Sequence, residues 1–344
     1  MRRLGSWLGI AAAVVICAAA SLPATRSPIS VPADVKELYE RPEAIPFPPD
    51  NPYSEAKDKL GRMLFFDPIL SGARDTACSS CHNPGLSWTD GVKLASGAGP
   101  IRLHTPTLID VAWVPVLGWD GKYRSLESVA FGPLLSPINM NNTEAEIIRR
   151  LSGIPGYVAA FTQAFPGAKP EKAITRPRIE QALATFERTI LAPRAPFDRW
   201  IDGDETAISE SAKRGFVLFN GKADCAECHR GPSFSDFSFH DIGIAREDDL
   251  GRGLLFPTSV KLRHAFKVPT LRDVARRAPY SHDGSLPDLA AVIDAYDTGG
   301  IARASRSSLI HPLGLTAAEK RDLIAFLNTL TGDPKPFEVP ILPR

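Results

Sequence analysis

The chain of 344 residues carries almost no net charge, because its 40 lysines and arginines are balanced by 39 aspartates and glutamates. This balance argues against nucleic acid as a partner, since nucleic acid requires a basic surface. Long apolar runs are also scarce, and the run from Leu8 to Ala20 is too short to span a membrane comfortably. No segment alternates apolar and polar residues for long, so we expect little β-sheet.

The apolar run near the N-terminus is typical of a secretory signal peptide. Arg2 and Arg3 precede it, and Ser21-Leu-Pro-Ala24 follows it. We predict a signal peptide over residues 1–26 and a mature protein in the bacterial periplasm, with no stable membrane insertion after cleavage. A retained membrane anchor is the alternative.

Cysteine is scarce, with five residues, and one of them, Cys17, lies inside the predicted signal peptide. The other four form two Cys-x-x-Cys-His motifs, Cys78-Ser-Ser-Cys81-His82 and Cys225-Ala-Glu-Cys228-His229. This motif is the attachment signature of c-type haem, in which the cysteines form thioethers and the histidine is the proximal iron ligand. Zinc or a disulfide is the alternative, but the histidine after each pair favours haem. We therefore predict two covalently bound haem c groups.

The residues around the two motifs recur in the same order, which indicates a tandem duplication. Before each motif stands a related apolar segment, at residues 60–66 and 214–219. After it come Pro106-Thr-Leu in the first half and Pro269-Thr-Leu in the second, then Trp119-Asp-Gly and His282-Asp-Gly. The sequence predicts two cytochrome-c-like haem domains, at residues 34–195 and 205–335, and an extended tail at residues 336–344.

Apolar residues recur with the period of a helix in six segments, which are residues 54–65, 143–151, 176–191, 208–219, 286–296 and 317–330. Ser54, Thr143 and Thr316 provide N-terminal capping signals for three of them. The fold class is therefore predicted to be mainly α.

Methionine is scarce too, and this bears on the second ligand of each iron. The only methionines are Met1, Met63 and Met140, so the second haem has none in its own domain. It must use histidine, tyrosine or no second ligand, unless Met140 crosses between the domains.

The register of the repeat supplies a candidate for that ligand. Continued without gaps, it places Tyr296 opposite Pro133. A phenol can ligate ferric iron, whereas a proline ring cannot. We infer that His229 and Tyr296 coordinate the second haem iron, while the first has His82 and an open site beneath Pro133. A packed helix tyrosine is the alternative for Tyr296.

From about residue 56 to residue 343, the chain resembles the bacterial di-haem cytochrome c peroxidases and their relative MauG. The motifs that carry the resemblance are Leu64-Phe-Phe-Asp-Pro68, Trp119-Asp-Gly121, Gly132-Pro133, Ala278-Pro-Tyr280 and the tail Pro336-Phe-Glu-Val-Pro-Ile-Leu-Pro343. The resemblance implies that the N-terminal haem binds peroxide, that the C-terminal haem relays electrons and that Trp119 carries electrons between them. The peroxidases have methionine where this chain has Tyr296, and MauG has tyrosine there.

The function implied by the resemblance is a periplasmic di-haem oxidoreductase that reduces hydrogen peroxide. Its electrons would come from a small redox protein, either a cytochrome c or a cupredoxin. One alternative is the MauG-like oxidation of residues in a partner protein. Another is a non-enzymatic electron-transfer or sensing cytochrome that has lost peroxidase turnover.

Three departures from the family pattern bear on the mechanism. Asn139 stands where the family has a distal glutamate, and an amide cannot transfer a proton; His104 and Glu144 are candidate substitutes. The loop at residues 91–101 contains no histidine, so we expect the first haem to be open without reductive activation. His104 and Arg277 replace residues near the calcium ion of the family, and imidazole is a poor calcium ligand, so calcium binding stays open.

His282 also matches a residue of the family, a histidine near the second haem. We therefore predict that it supports that cofactor, through a propionate or a neighbouring group.

Overall fold

The computed structural model describes residues 29, 31–167, 169–334 and 336–343. The predicted signal peptide, residues 1–26, lies outside the described residues. In the part of the chain that the structure describes, no helix is long and apolar enough to cross a membrane. Helices dominate, and the two-residue strands β1 (Phe239–His240) and β2 (Phe266–Lys267) pair antiparallel. The prediction of a mainly α fold is confirmed.

The helices of the N-terminal part are α1 (Ala33–Glu37), α2 (Glu55–Phe66), α3 (Cys78–Cys81), α4 (Leu126–Leu135), α5 (Glu144–Ser152), α6 (Pro155–Ala164) and α7 (Arg176–Arg188). Those of the C-terminal part are α8 (Pro196–Ile201), α9 (Glu210–Phe219), α10 (Leu289–Thr298) and α11 (Ala317–Asn328). The six predicted helices are confirmed as α2, α5, α7, α9, α10 and α11. The capping signals are confirmed as well, since the side chains of Ser54, Thr143 and Thr316 each accept a hydrogen bond from the first turn of the following helix.

Two helix pairs, built in the same way, organise two apolar cores. In the first, α2 packs on α7 through Gly61, where an added Cβ would lie only 2.0 Å from the carbonyl oxygen of Ala182. In the second, α9 packs on α11 through Gly215, where a Cβ would lie 2.0 Å from the carbonyl oxygen of Asp322. The two halves of the chain therefore share one helix-packing scheme, as a duplication requires.

The register of the repeat is visible in α4 and α10. Each helix has ten residues, and Pro133 and Tyr296 are the eighth residue of their helices. A turn precedes each helix and is closed by an isolated antiparallel bridge. The bridge pairs Leu117 with Tyr123 before α4, and Tyr280 with Leu286 before α10. The two helices thus occupy the same place in the two halves.

The ends of the chain cross over between the cores. Tyr39, which follows α1, stacks on Phe234 with ring centres 4.8 Å apart and belongs to the second core. Phe337 of the tail stacks on Phe66 at 5.1 Å and belongs with the first core. The predicted domain limits stay predictions, but each core includes a segment from the opposite end of the chain.

Candidate active site

The first Cys-x-x-Cys-His motif forms the one-turn helix α3. Its thiols, Cys78 and Cys81, are free and half-buried, and burial raises the pKa of Cys78 to about 12. His82 directs Nδ1 to the carbonyl oxygen of Trp88, 3.2 Å away. A carbonyl only accepts, so the proton lies on Nδ1 and Nε2 keeps its lone pair. Burial lowers the pKa of His82, so the ring is neutral, as a metal ligand must be.

The second motif repeats this arrangement. Cys225 and Cys228 are free and half-buried, and burial raises their pKa values to about 12 and about 11. His229 donates from Nδ1 to the carbonyl oxygen of Phe234 at 2.7 Å, and burial lowers its pKa. Two free thiols beside an imidazole with an available Nε2 fit a c-type haem in both halves.

Tyr296 lies close to the second motif. Burial raises the pKa of its phenol, and the thiols of Cys225 and Cys228 add to the rise, which they can do only at short range. The Tyr296 side chain is half-buried, and its hydroxyl hydrogen-bonds to no residue in the described ranges. The phenol is therefore available to a group bound at Cys225 and Cys228.

Pro133 and Asn139 lie together on one side of the first motif. Pro133 is exposed within α4, and its carbonyl oxygen accepts a hydrogen bond from the Met140 amide at 3.1 Å. The loop at residues 91–101 joins this turn to the motif: the Ala98 amide donates to the Asn139 carbonyl at 2.8 Å, and the Cys81 Sγ lies 3.5 Å from the Ser96 carbonyl oxygen. The Asn139 amide group hydrogen-bonds to none of the described residues. The turn that carries Pro133 and Asn139 is thus connected to the first motif through the loop at residues 91–101.

Each candidate substitute for the distal acid has one hydrogen-bond partner for its side chain among the described residues, and His104 keeps its Nε2 available for the same reason as His82. Glu144 pairs with Arg176 at 3.3 Å, and the Nδ1 of His104 lies 2.8 Å from the Val92 carbonyl oxygen. Met140 is buried in the first core, so it does not cross to the second domain as a ligand.

Trp119 lies where the two halves meet. Its indole Nε1 donates to the carbonyl oxygen of His104 at 2.8 Å, and the His104 amide donates to the carbonyl oxygen of His282, also at 2.8 Å. The Trp119 carbonyl oxygen in turn accepts a hydrogen bond from the Lys267 amide at 2.8 Å. The ring is thus held by His104 of the first half, and the Trp119 backbone is held by Lys267 of the second half.

His282 is buried and joined to Asp249, whose Oδ2 lies 3.0 Å from its Nε2. Its ring stacks on Phe266, with ring centres 3.6 Å apart. No contact of His282 with His229 is found among the described residues, so the predicted role of His282 at the second haem stays a prediction. The structure connects it more directly to Trp119, through the backbone of His104.

The residues at the expected calcium position do not fit that ion. A calcium ion requires several oxygen ligands, whereas His104 presents an imidazole whose Nδ1 already donates to a carbonyl. Arg277 adds a buried guanidinium whose Nε has no hydrogen-bond partner among the described residues, and burial lowers its pKa to about 10.

Glu187 is a buried residue that the sequence patterns did not single out. It lies near the end of α7, its Oε2 has no hydrogen-bond partner in the part of the chain that the structure describes, and burial raises its pKa to about 8. Its charge would raise the pKa of Cys78, so it lies near the first motif. When α7 is aligned with α11, Glu187 takes the position of Leu327, which is buried. A comparison of the two halves could therefore have identified Glu187 as a carboxyl at a buried position.

Comparison with known proteins agrees with this geometry. Residues 55–206 match the family model of the di-haem cytochrome c peroxidases. The methylamine utilization protein MauG of Methylorubrum extorquens is 44% identical over 338 residues, which are 97% of this chain and 95% of that protein. The cytochrome-c peroxidase IdrP1 of a Pseudomonas species is 34% identical, with 87% of each chain covered.

A solved structure supports the same relationship. It is that of a MauG-like protein associated with microbial copper homeostasis, with a TM-score of 0.80 and 32% identity, and it covers 86% of this chain and 95% of its own. The chain belongs to the di-haem cytochrome c peroxidase and MauG family, and it is an oxidoreductase whose cofactors are two haems.

Proposed function

We propose that the protein is a periplasmic enzyme of the MauG type, which uses hydrogen peroxide to withdraw electrons from a protein partner. The observation that carries the proposal is the asymmetry between α4 and α10. At the same place in the two helices, the first half has the exposed Pro133 and the second half has Tyr296 beside Cys225 and Cys228. One site is therefore open, and the other has a second ligand available.

The chain's own residues divide the work of holding the two cofactors. The cysteines of the two motifs would attach them covalently, His82 and His229 would provide the proximal ligands, and Tyr296 would provide the second ligand in the C-terminal domain. Bound haem would supply redox-active iron for the reaction with peroxide. Each hydrogen peroxide then takes up two electrons and two protons and gives two waters, and the partner supplies the electrons.

The peroxide site itself offers hydrogen bonding without proton transfer. Pro133 keeps the open face free of ligands, and the Asn139 amide can hydrogen-bond peroxide but cannot move its proton. Slow proton delivery favours a long-lived oxidised enzyme over rapid turnover. Trp119, held between the halves, provides an oxidisable ring on the path between them. A phenolate ligand favours ferric iron, so Tyr296 supports storage of oxidising equivalents.

Reduction of peroxide with electrons from a small redox protein, a cytochrome c or a cupredoxin, is the second candidate. The identity of 34% to a cytochrome-c peroxidase supports it, and the same path through Trp119 would serve it. The two candidates differ in what is oxidised at the end of the path. An electron-transfer or sensing cytochrome without turnover is the third possibility.

Spectroscopy of the purified ferric di-haem protein, by absorption and EPR before and after stoichiometric peroxide, tests the proposal. We expect one high-spin and one low-spin haem, and a peroxide product that persists for minutes. Tyr296→Met should keep the low-spin signal with altered g values and shorten the life of that product. Tyr280→Phe is the matched control, since the Tyr280 hydroxyl only donates to the Val274 carbonyl at 2.9 Å. Two low-spin haems that do not react with peroxide would refute the enzymatic proposal and leave an electron carrier.

A further inference from the structure

The second domain presents a group of exposed apolar side chains on one segment, residues 250–263, which we name the 250–263 patch. Leu254 is 67% exposed and Val260 is 51% exposed, and Leu255 and Phe256 are exposed between them. Exposed apolar side chains are ordinary when scattered, but several on one short segment are typical of a surface that another molecule covers.

The patch is fixed to the segment that carries Trp119. Arg252, within the patch, donates from its guanidinium to the carbonyl oxygen of Asp120 at 2.6 Å. The same guanidinium lies over the ring of Phe239 at 3.9 Å and over that of Phe256 at 4.9 Å. It therefore joins an exposed ring of the patch to the residue that follows Trp119.

Two further contacts make this connection close. An added Cβ at Gly121 would lie 2.3 Å from the Arg252 guanidinium and 2.4 Å from the Phe239 ring, so the chain packs there without space for a side chain. Just beyond the patch, the Lys267 amide donates to the Trp119 carbonyl at 2.8 Å. A molecule bound on the patch would therefore lie beside a segment that contacts the Trp119 segment directly.

The surroundings of the patch are basic. Residues 250–267 contain Arg252, Lys261, Arg263 and Lys267, and no acidic residue. Lys261 and Arg263 are exposed, and neither forms an ion pair within the described residues. This basic rim is a property of the segment alone, because the chain as a whole has a net charge of only +1.

Acidic residues do precede the patch, but two of the three are already paired. Asp248 lies 3.3 Å from Arg102, and Asp249 lies 3.0 Å from His282. Glu247 is the remaining exposed acid. An apolar centre with unpaired basic residues at its rim fits a protein surface with an apolar centre and an acidic rim.

We infer that the 250–263 patch is the docking surface for an acidic protein that delivers electrons through Trp119. The inference rests on the proposed function, since it names the partner from which the enzyme withdraws electrons. Each encounter transfers one electron from the partner towards the haems, and two encounters supply the two electrons that one peroxide requires.

The experiment uses two reduced probe proteins with the full-length holoenzyme, a plastocyanin of net negative charge and a mitochondrial cytochrome c of net positive charge. Peroxide-dependent oxidation of each probe is followed by its own absorbance at several salt concentrations. We expect the acidic plastocyanin to be the better donor at low salt. Lys261→Glu/Arg263→Glu should lower its kcat/KM by about tenfold at low salt and by much less at high salt, because screening removes electrostatic steering.

Matched variants separate a local effect from a general one. Lys169→Glu/Lys172→Glu makes the same change of charge on exposed residues between α6 and α7 of the first domain, and it should leave the rate nearly unchanged. Leu254→Ser/Val260→Ser should lower kcat/KM at high salt as well, whereas Val217→Ser, on the exposed side of α9, should not.

Several outcomes would overturn the inference. Equal effects of the two charge-reversal variants, or a preference for the basic cytochrome, would show that the patch does not select the donor. A dimer in sedimentation that is lost in Leu254→Ser/Val260→Ser would show that a second copy of the chain covers the patch. The proposed function fails in a different way, because the wild-type spectrum would then not respond to peroxide at all.

Discussion

Replacing Glu187 by leucine should stabilise the folded protein, and the effect should grow with pH. The repeat itself suggests the substitution: Phe186 and Phe326 pack on the glycine of their partner helices, and the residues that follow them are Glu187 and Leu327. A buried carboxyl therefore occupies a place where the second half of the chain has a buried leucine.

The size of the effect follows from the pKa of the carboxyl. Burial raises the pKa of Glu187 from 4.5 to about 8, the positive charge of Arg188 partly offsets this rise, and the negative charge of Glu127 adds to it. Between pH 4.5 and 8 the folded protein keeps the proton that the unfolded chain has lost. The free energy of unfolding therefore falls as pH rises through this window, by ~1.4 kcal/mol per pH unit at most. Well above pH 8 both states are ionised, and the loss, roughly 5 kcal/mol, no longer grows.

Urea unfolding of the ferric holoprotein at pH 5, 7 and 8.5 measures the difference. Glu187→Leu should gain stability over the wild type progressively from pH 5 to pH 8.5, and Glu187→Gln should lose the same pH dependence without the apolar gain. Glu171→Leu, at an exposed position shortly before α7, is the control and should show no such trend. A difference between the wild type and Glu187→Leu that is constant with pH would refute the reasoning, and so would a variant less stable than the wild type at pH 8.5.

Three further predictions concern the scaffold, and urea unfolding at pH 7 checks each of them. Gly215→Ala places a Cβ 2.0 Å from the Asp322 carbonyl oxygen. Because α9 and α11 must then separate, the free energy of unfolding should fall by about 3 kcal/mol. A loss under about 0.5 kcal/mol would contradict this packing. Asp198→Asn leaves the buried guanidinium of Arg272 without its carboxylate partner. This should lower the free energy of unfolding by about 3–5 kcal/mol. An unchanged urea midpoint would mean that water already compensates the charge of Arg272. Thr316→Ala removes the cap of α11 and should cost ~1 kcal/mol, so a neutral result would show that the first turn of that helix is held by other contacts.

Local patterns predicted the features that depend on neighbouring residues. The haem motifs are five consecutive residues, and the capping signals at Ser54, Thr143 and Thr316 act within three or four residues. Five helices were not predicted, which are α1, α3, α4, α6 and α8. The helices α1 and α3 are too short for a periodic pattern, and each of the other three contains a proline, which is usually read as a boundary. Pro133 lies inside α4, and Pro155 begins α6 at a position where the missing amide proton costs nothing.

Contacts between distant segments were beyond the reach of local patterns. The hydrogen bonds that hold Trp119 run through His104 to His282, 178 residues further along the chain than His104. Neither residue carries a local signal for that pairing. The packing of Tyr39 into the second core could not be predicted for the same reason. The segment around Tyr39 is half polar, and nothing in its local sequence indicates which core it joins. Glu187 is an intermediate case. Its burial could be predicted from its correspondence with Leu327, but only once α7 is aligned with α11.

The duplication also narrows where the two haem sites can differ. His82 and His229 donate through Nδ1 to a carbonyl of the loop that follows each motif, so their tautomer and orientation are set in the same way. The cysteines of both motifs are half-buried. A difference in reactivity between the two sites therefore has to come from the opposite face, where Pro133 and Tyr296 occupy the same position in their helices, and from asymmetric neighbours such as Glu187. Since one side of each site is fixed by a shared scaffold, substitutions in α4 and α10 could redistribute the roles of the two domains without rebuilding either attachment motif.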